Sequence, residues 1–140
     1  MIRVMCGGCF DCLHIGHVKY LQAAKDLGDS LIVAVTVDTE VHKGPGRPVF
    51  HWQERVEMLE ALKCVDLVVL TRSGPEAVRE WKPDIYCKGI EWMNKLPELA
   101  IVESYGGKVV FIDLPTYSST KILNGELLRE RMGLAGKSSR

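Results

Sequence analysis

The chain lacks an excess of either charge: 18 Lys and Arg face 18 Asp and Glu among its 140 residues. Proteins that rely on the phosphate backbone of DNA or RNA carry a basic surplus, so nucleic acid is not the expected partner. It also lacks a long apolar run. None approaches the ~20 residues that cross a bilayer, so no membrane segment is expected. The opening Met1 to Met5 is too short for a signal peptide before Gly7 and Gly8 interrupt it. A cytoplasmic protein follows as the expectation, and there its cysteines are expected as thiols. Repeats and low-complexity stretches are absent, and aromatic residues are sparse at 7%. Apolar residues still make up 46%, which suits one core and argues against disorder.

Cys6, Cys9 and Cys12 stand three residues apart, a spacing that resembles iron–sulfur ligation. A fourth local cysteine is missing, and Cys64 and Cys87 lie in apolar segments. No protein-held metal is expected.

The rest of the chain alternates two hydrophobic patterns. Arg3 to Cys6 reads as a strand that ends at two glycines. Ile15 to Leu27 reads as a helix, with Tyr20, Leu21, Ala24 and Leu27 on one face and Gly28 after it. Ser30 to Val37 is nearly continuous β-branched sequence, the signature of a strand covered on both faces. Further strands are expected over 65–70, 84–87 and 107–114, and further helices over 51–62, from Ser73 to before Pro83, over 96–105 and over 119–132. Ser73-Gly-Pro-Glu76 reads as a capping box, and Ser119 as the last helix's N-cap. Strands alternating with helices imply a Rossmann-like, doubly wound α/β sheet of about five parallel strands with helices on both faces. One domain over 1–132 is expected, with 133–140 as a flexible tail.

In such sheets a ligand sits at the carboxyl ends of the strands. The exit from the first strand reads Gly8-Cys9-Phe10-Asp11-Cys12-Leu13-His14-Ile15-Gly16-His17. Glycines permit close backbone approach, and the helix start offers N–H groups and a partial positive charge to a phosphate. His14 and His17, three apart on an early helical turn, can point the same way.

This string resembles the G-x-F-D-x-x-H-x-G-H motif of the cytidylyltransferase-like nucleotidyltransferases. That group includes glycerol-3-phosphate cytidylyltransferase and the adenylyltransferase domain of ADP-heptose synthase. The likeness continues through Val37-Asp38, Lys43, Arg47-Pro48-Val49, Gln53-Glu54-Arg55, Lys88-Gly89, Glu91-Trp92, Gly106 to Val109 and Ser118 to Ile122. It implies a one-step transfer: an oxygen of a phosphorylated substrate attacks the α-phosphorus of a nucleoside triphosphate, and pyrophosphate leaves. Catalysis of that kind needs positioning and charge stabilisation rather than a protein nucleophile.

By the same resemblance, His14, His17 and Lys43 are the expected catalytic residues, with Lys43 on a mobile loop over 38–48. Gly8, Cys9, Phe10, Asp11, Gly16, Lys88, Glu91, Ser118, Ser119 and Thr120 are expected to bind the nucleotide. Asp38, Arg55 and Trp92 are expected on the acceptor. Mg²⁺ bridging the triphosphate is the implied cofactor, and a homodimer with Phe50, Trp52 and Trp92 as anchors is the implied assembly.

Leu114 and Thr116 stand where the glycerol enzymes carry Arg and Glu in R-T-E-G-I-S-T, and Lys88-Gly89 resembles the V-K-G of the heptose enzymes. Adenylyl transfer from ATP to a sugar or polyol phosphate, D-glycero-D-manno-heptose 1-phosphate foremost, is therefore favoured. The alternatives are CTP with glycerol 3-phosphate, then FAD synthesis, or a non-catalytic nucleotide-binding module.

Overall fold

The structure is a computed structural model that describes residues 1–114 and 118–133. Five strands are present: β1 (Arg3–Gly8), β2 (Ser30–Thr36), β3 (Leu67–Thr71), β4 (Ile85–Gly89) and β5 (Lys108–Ile112). All pairs are parallel, in the order β3-β2-β1-β4-β5. The chain builds outward from β1 to β3 and then returns to place β4 on the other side of β1. The strand order therefore reverses between β1 and β4, and the carboxyl ends there splay into a crevice.

The sheet is covered on both faces because its central strands alternate apolar side chains in both directions. Val4, Cys6, Leu31, Val33 and Val35 pack with Leu21 and Ala24 of α1 (Ile15–Lys25) and Leu59 of α2 (Trp52–Glu60). Met5, Ile32 and Ala34 pack on the opposite face. Their partners are Ala77 and Val78 of α3 (Gly74–Trp81) and Val102 of α4 (Glu98–Ser104). Among the described residues no helix is long and apolar enough to cross a membrane.

Four local details depart from the sequence reading. β4 runs on to Gly89, which carries Lys88 to the edge of the crevice. The single last helix is two, α5 (Ser119–Leu123) and α6 (Glu126–Arg131). Gly125 between them has φ 81, a left-handed conformation that ends one helix and starts the next. The cap of α5 is Ser118, whose Oγ accepts from the Lys121 N–H, so Ser119 is left for another task. At α3, Ser73 Oγ does accept from the Glu76 N–H, but the Glu76 carboxylate reaches back to the Arg72 N–H. Of the expected tail, 134–140 lies outside the described residues, as does Thr116.

Candidate active site

The crevice at the β1–β4 switch is lined by the β1–α1 turn, the start of α1, the ends of β4 and β5, and Ser119 of α5. Cys9, Phe10, Asp11, His14, Gly16, His17, Lys43, Lys88, Glu91, Trp92 and Ser119 are brought together in its walls. The sequence places these residues as much as 110 positions apart; parallel winding brings them to one end of the sheet.

The turn that enters α1 is tightly wound. Phe10 and Cys12 take positive φ values of 52 and 57, a conformation that side chains with a Cβ seldom adopt and that concentrates at functional turns. Gly8 does not line the crevice. A Cβ there would sit 3.1 Å from the Phe10 ring, so its glycine makes room for Phe10 rather than for a ligand.

His14 caps α1. Its Nδ1 accepts from the Gly16 N–H at 3.1 Å, and the His14 N–H donates to His17 Nδ1 at 3.2 Å. The two rings stack with centroids 3.9 Å apart, and Phe10 lies against His17 at 5.5 Å. Because both Nδ1 atoms accept, each neutral ring carries its proton on Nε2. Burial, the neighbouring His14 and the Lys43 ammonium together hold His17 down at about 4, and burial lowers His14 as well. The pair is thus neutral at neutral pH, set beside lysine charge rather than carrying its own.

Lys88 is half-buried at the β4 edge, its Nζ 4.6 Å from the centre of the Trp92 ring, and Lys95 approaches the same ring at 5.9 Å. Burial lowers the Lys88 pKa, against the pull of Glu98 and Glu91. Two cations on one indole fix Trp92 as part of the crevice wall, with the ring face already engaged.

Several expected ligand-binding residues are instead committed to the protein. Arg55 is fully buried. Its Nε donates to the Phe50 carbonyl at 3.0 Å, and Nη1 donates to the Cys9 and Thr36 carbonyls at 2.8 and 2.7 Å. Its Nη2 pairs with Asp38, which also meets His51 Nδ1 at 3.3 Å. Neither Arg55 nor Asp38 lines the crevice; Arg55 is spent on the scaffold, and Asp38 is its ion-pair partner. Asp11 is likewise engaged: Oδ2 accepts from Arg47 Nε and the Val49 N–H, both at 2.8 Å, and Oδ1 from the Phe50 N–H at 3.0 Å. Burial alone would raise its pKa, but these N–H donors and the Arg47 charge outweigh it and lower the value. Ser119 Oγ donates to the Asp11 carbonyl and, at 3.3 Å, to the Cys12 carbonyl, stapling α5 to the turn. Ser118 is a helix cap, and Thr120 Oγ1 accepts from Arg47 Nη1 at 3.2 Å.

The sequence reading missed Gly7, Tyr20, Gly89, Ile112 and Leu114 as lining residues. Tyr20 was legible as an inward residue of α1, yet its hydroxyl, donating to the Cys87 carbonyl at 2.8 Å, was not. The 38–48 loop is tied down near its end, where the Arg47 side chain pairs with Asp11. The three spaced cysteines diverge: Cys6 is buried in the core beside Cys87, while Cys9 and Cys12 are half-buried in the turn, and all are free thiols.

Comparisons with known proteins agree with this geometry. The cytidylyltransferase-like family model matches residues 5–125. The chain is 43% identical to the bifunctional protein HldE of Syntrophotalea carbinolica over 93% of its own length, but it spans only 28% of that protein. It is 42% identical to the D-beta-D-heptose 1-phosphate adenylyltransferase of Bordetella bronchiseptica, covering 89% of this chain and 80% of the other. The crystal structure of the lipopolysaccharide core biosynthesis protein from Thermoplasma volcanium superposes with a TM-score of 0.67 at 35% identity, covering 84% of this chain and 99% of that one. Pantothenate synthetase from Thermus thermophilus shares the fold alone, with a TM-score of 0.65 at 13% identity over 94% of this chain and 64% of its own. With a glycine-framed histidine pair at the switch point and a family model that matches nearly the whole described chain, this protein belongs to the cytidylyltransferase-like family.

Proposed function

We propose that this chain transfers the adenylyl group of ATP to a heptose 1-phosphate, D-glycero-D-manno-heptose 1-phosphate foremost, giving ADP-heptose and pyrophosphate. The observation that carries the reading is the stacked, neutral His14–His17 pair beside Lys43 in the crevice. Two imidazoles protonated on Nε2 can donate to the non-bridging oxygens of the α-phosphate. As negative charge grows there, donors fixed in advance stabilise it without having to reorganise. An acceptor phosphate oxygen forms a bond to the α-phosphorus, the bond from that phosphorus to the bridging oxygen breaks, and the electron pair leaves with pyrophosphate. Lys43, on its loop, neutralises the two phosphates that must approach each other. The heptose acceptor is supported by the relatives' names and by 42% identity to one of them across most of both chains.

Among the described residues no three His, Cys, Asp or Glu side chains converge as a metal cage, and Asp11, the buried carboxylate of the crevice, has both oxygens occupied. That donor set fits a Mg²⁺ held by the triphosphate's own oxygens, where it would supply charge neutralisation. The reading also includes a cytoplasmic homodimer. Of the expected anchors Phe50, Trp52 and Trp92, Trp92 belongs to the crevice wall; the exposed Ile15, Ile122 and Leu128 offer a further apolar face for the contact.

The test is pyrophosphate release and product mass with ATP or CTP offered against heptose 1-phosphate, glycerol 3-phosphate and FMN. ADP-heptose from the ATP and heptose 1-phosphate arm is the expected product. CDP-glycerol or FAD as the main product would replace the substrate assignment, and no product in any arm would favour a binding module.

A further inference from the structure

Among the described residues, one buried side-chain nitrogen has no hydrogen-bond partner, and it is Nη2 of Arg47. The side chain is 7% exposed. Its other two nitrogens are placed: Nε on Asp11 Oδ2 at 2.8 Å and Nη1 on Thr120 Oγ1 at 3.2 Å. On a planar guanidinium, Nη2 shares one edge with Nε and the other with Nη1. Its hydrogens therefore lie between Asp11 of the β1–α1 turn, which lines the crevice, and Thr120 at the start of α5.

A buried cationic donor left unmade is costly, and the protein offers it no acceptor. Asp11, the carboxylate that holds Arg47 Nε, already accepts from that group and from the Val49 and Phe50 amides, and none of its bonds is to Nη2. The acceptor that would complete the fork must come from outside, and an anion with several oxygens suits it best. His14 and His17 stand at the α1 side of the crevice, and Arg47 lies behind its wall, bonded to Asp11, which lines it, and to Thr120. A triphosphate whose α-phosphate lies against the imidazoles would run its outer phosphates toward Arg47.

We propose that Arg47 is a further phosphate-holding residue, whose Nη2 takes an oxygen of the outer phosphates while Nε and Nη1 keep their grip on Asp11 and Thr120. The proposal rests on the nucleotidyl-transfer reading for which phosphates these are, and it adds a residue that reading does not use. Pyrophosphate gains charge as it leaves, so the contact strengthens along the reaction. Arg47 lies four residues after Lys43, so the same contact fixes the end of the loop that presents Lys43.

The test compares wild type with Arg47→Lys, which keeps the charge facing Asp11 but cannot serve three partners at once. Pyrophosphate binding is measured by calorimetry with Mg²⁺ present, and thermal unfolding is measured without ligand. The expected result is a pyrophosphate Kd raised about tenfold or more, the loss of one charge-assisted bond, with unliganded unfolding near that of wild type. A folded variant with unchanged pyrophosphate affinity would overturn the proposal, as would a wild type that binds no pyrophosphate. If Arg47→Lys fails to fold, ¹⁵N-arginine spectra of wild type decide: the Arg47 Nη protons should shift and become protected on adding pyrophosphate, and unmoved signals would overturn it. Wild type that binds pyrophosphate through Arg47 yet makes no nucleotide product would sink the functional reading and leave this contact standing.

Discussion

At the scale of residues, the site works through groups that are neutral when it is empty. His17 is the clearest case, held at about 4 against an ordinary 6.5, by burial first and by His14 and Lys43 after it. A folded pKa below the unfolded one means that protonation favours unfolding. The stability is intact above about pH 6.5 and is lost as pH falls toward about 4, with a ceiling of roughly 3 kcal/mol for a shift of this size. Urea unfolding at about pH 7 and about pH 4 should show wild type losing more than His17→Asn by up to that amount. An equal loss in both proteins would mean that His17 is not the group held in its neutral form. In the proposed reaction the same depression would serve chemistry, because a neutral imidazole donates from Nε2 without first repelling Lys43.

At the scale of elements, the sheet ends in a turn that other elements must hold in place. Arg55 reaches from α2 to carbonyls at Cys9 and Thr36, Asp11 reaches to the 47–50 segment, and Ser119 ties α5 to the turn. In the sequence these polar residues look like ligand contacts, since a motif gives residue types and spacing but not which way a side chain faces. The place of His14 and His17 in the crevice was legible because glycines and a helix start already imply a phosphate, whereas Lys43 entered only through the family resemblance. Arg55 was not, because a buried arginine satisfied by carbonyls leaves no pattern in sequence. The break at Gly125 was missed for a related reason, as apolar spacing continues through it. The exposed face of α1, α5 and α6 is where elements should meet in a dimer. Leu128 is 65% exposed and Ile15 50%, more than a lone soluble helix face needs. Light scattering should give twice the chain mass for wild type and the chain mass for Leu128→Glu; a monomeric wild type would remove the dimer.

At the scale of the whole molecule, the function follows from where the strand order reverses. The alternation of buried strand and amphipathic helix in the sequence was enough to give the parallel sheet and its class. The order β3-β2-β1-β4-β5 was not written there, yet it is what puts Lys88 and Trp92 of the β4 end against His14 and His17 of the β1 end. The central claim is that this crevice transfers a nucleotidyl group directly, with the histidine pair as its charge-stabilising element. The most direct measurement is a single turnover with α-³²P-labelled ATP and heptose 1-phosphate, run on wild type and on His17→Ala shown to be folded by circular dichroism. The account predicts label passing to the sugar nucleotide with none on protein, and a His17→Ala rate lower by about a hundredfold or more. Label trapped on the chain, or a folded His17→Ala that turns over like wild type, would contradict it.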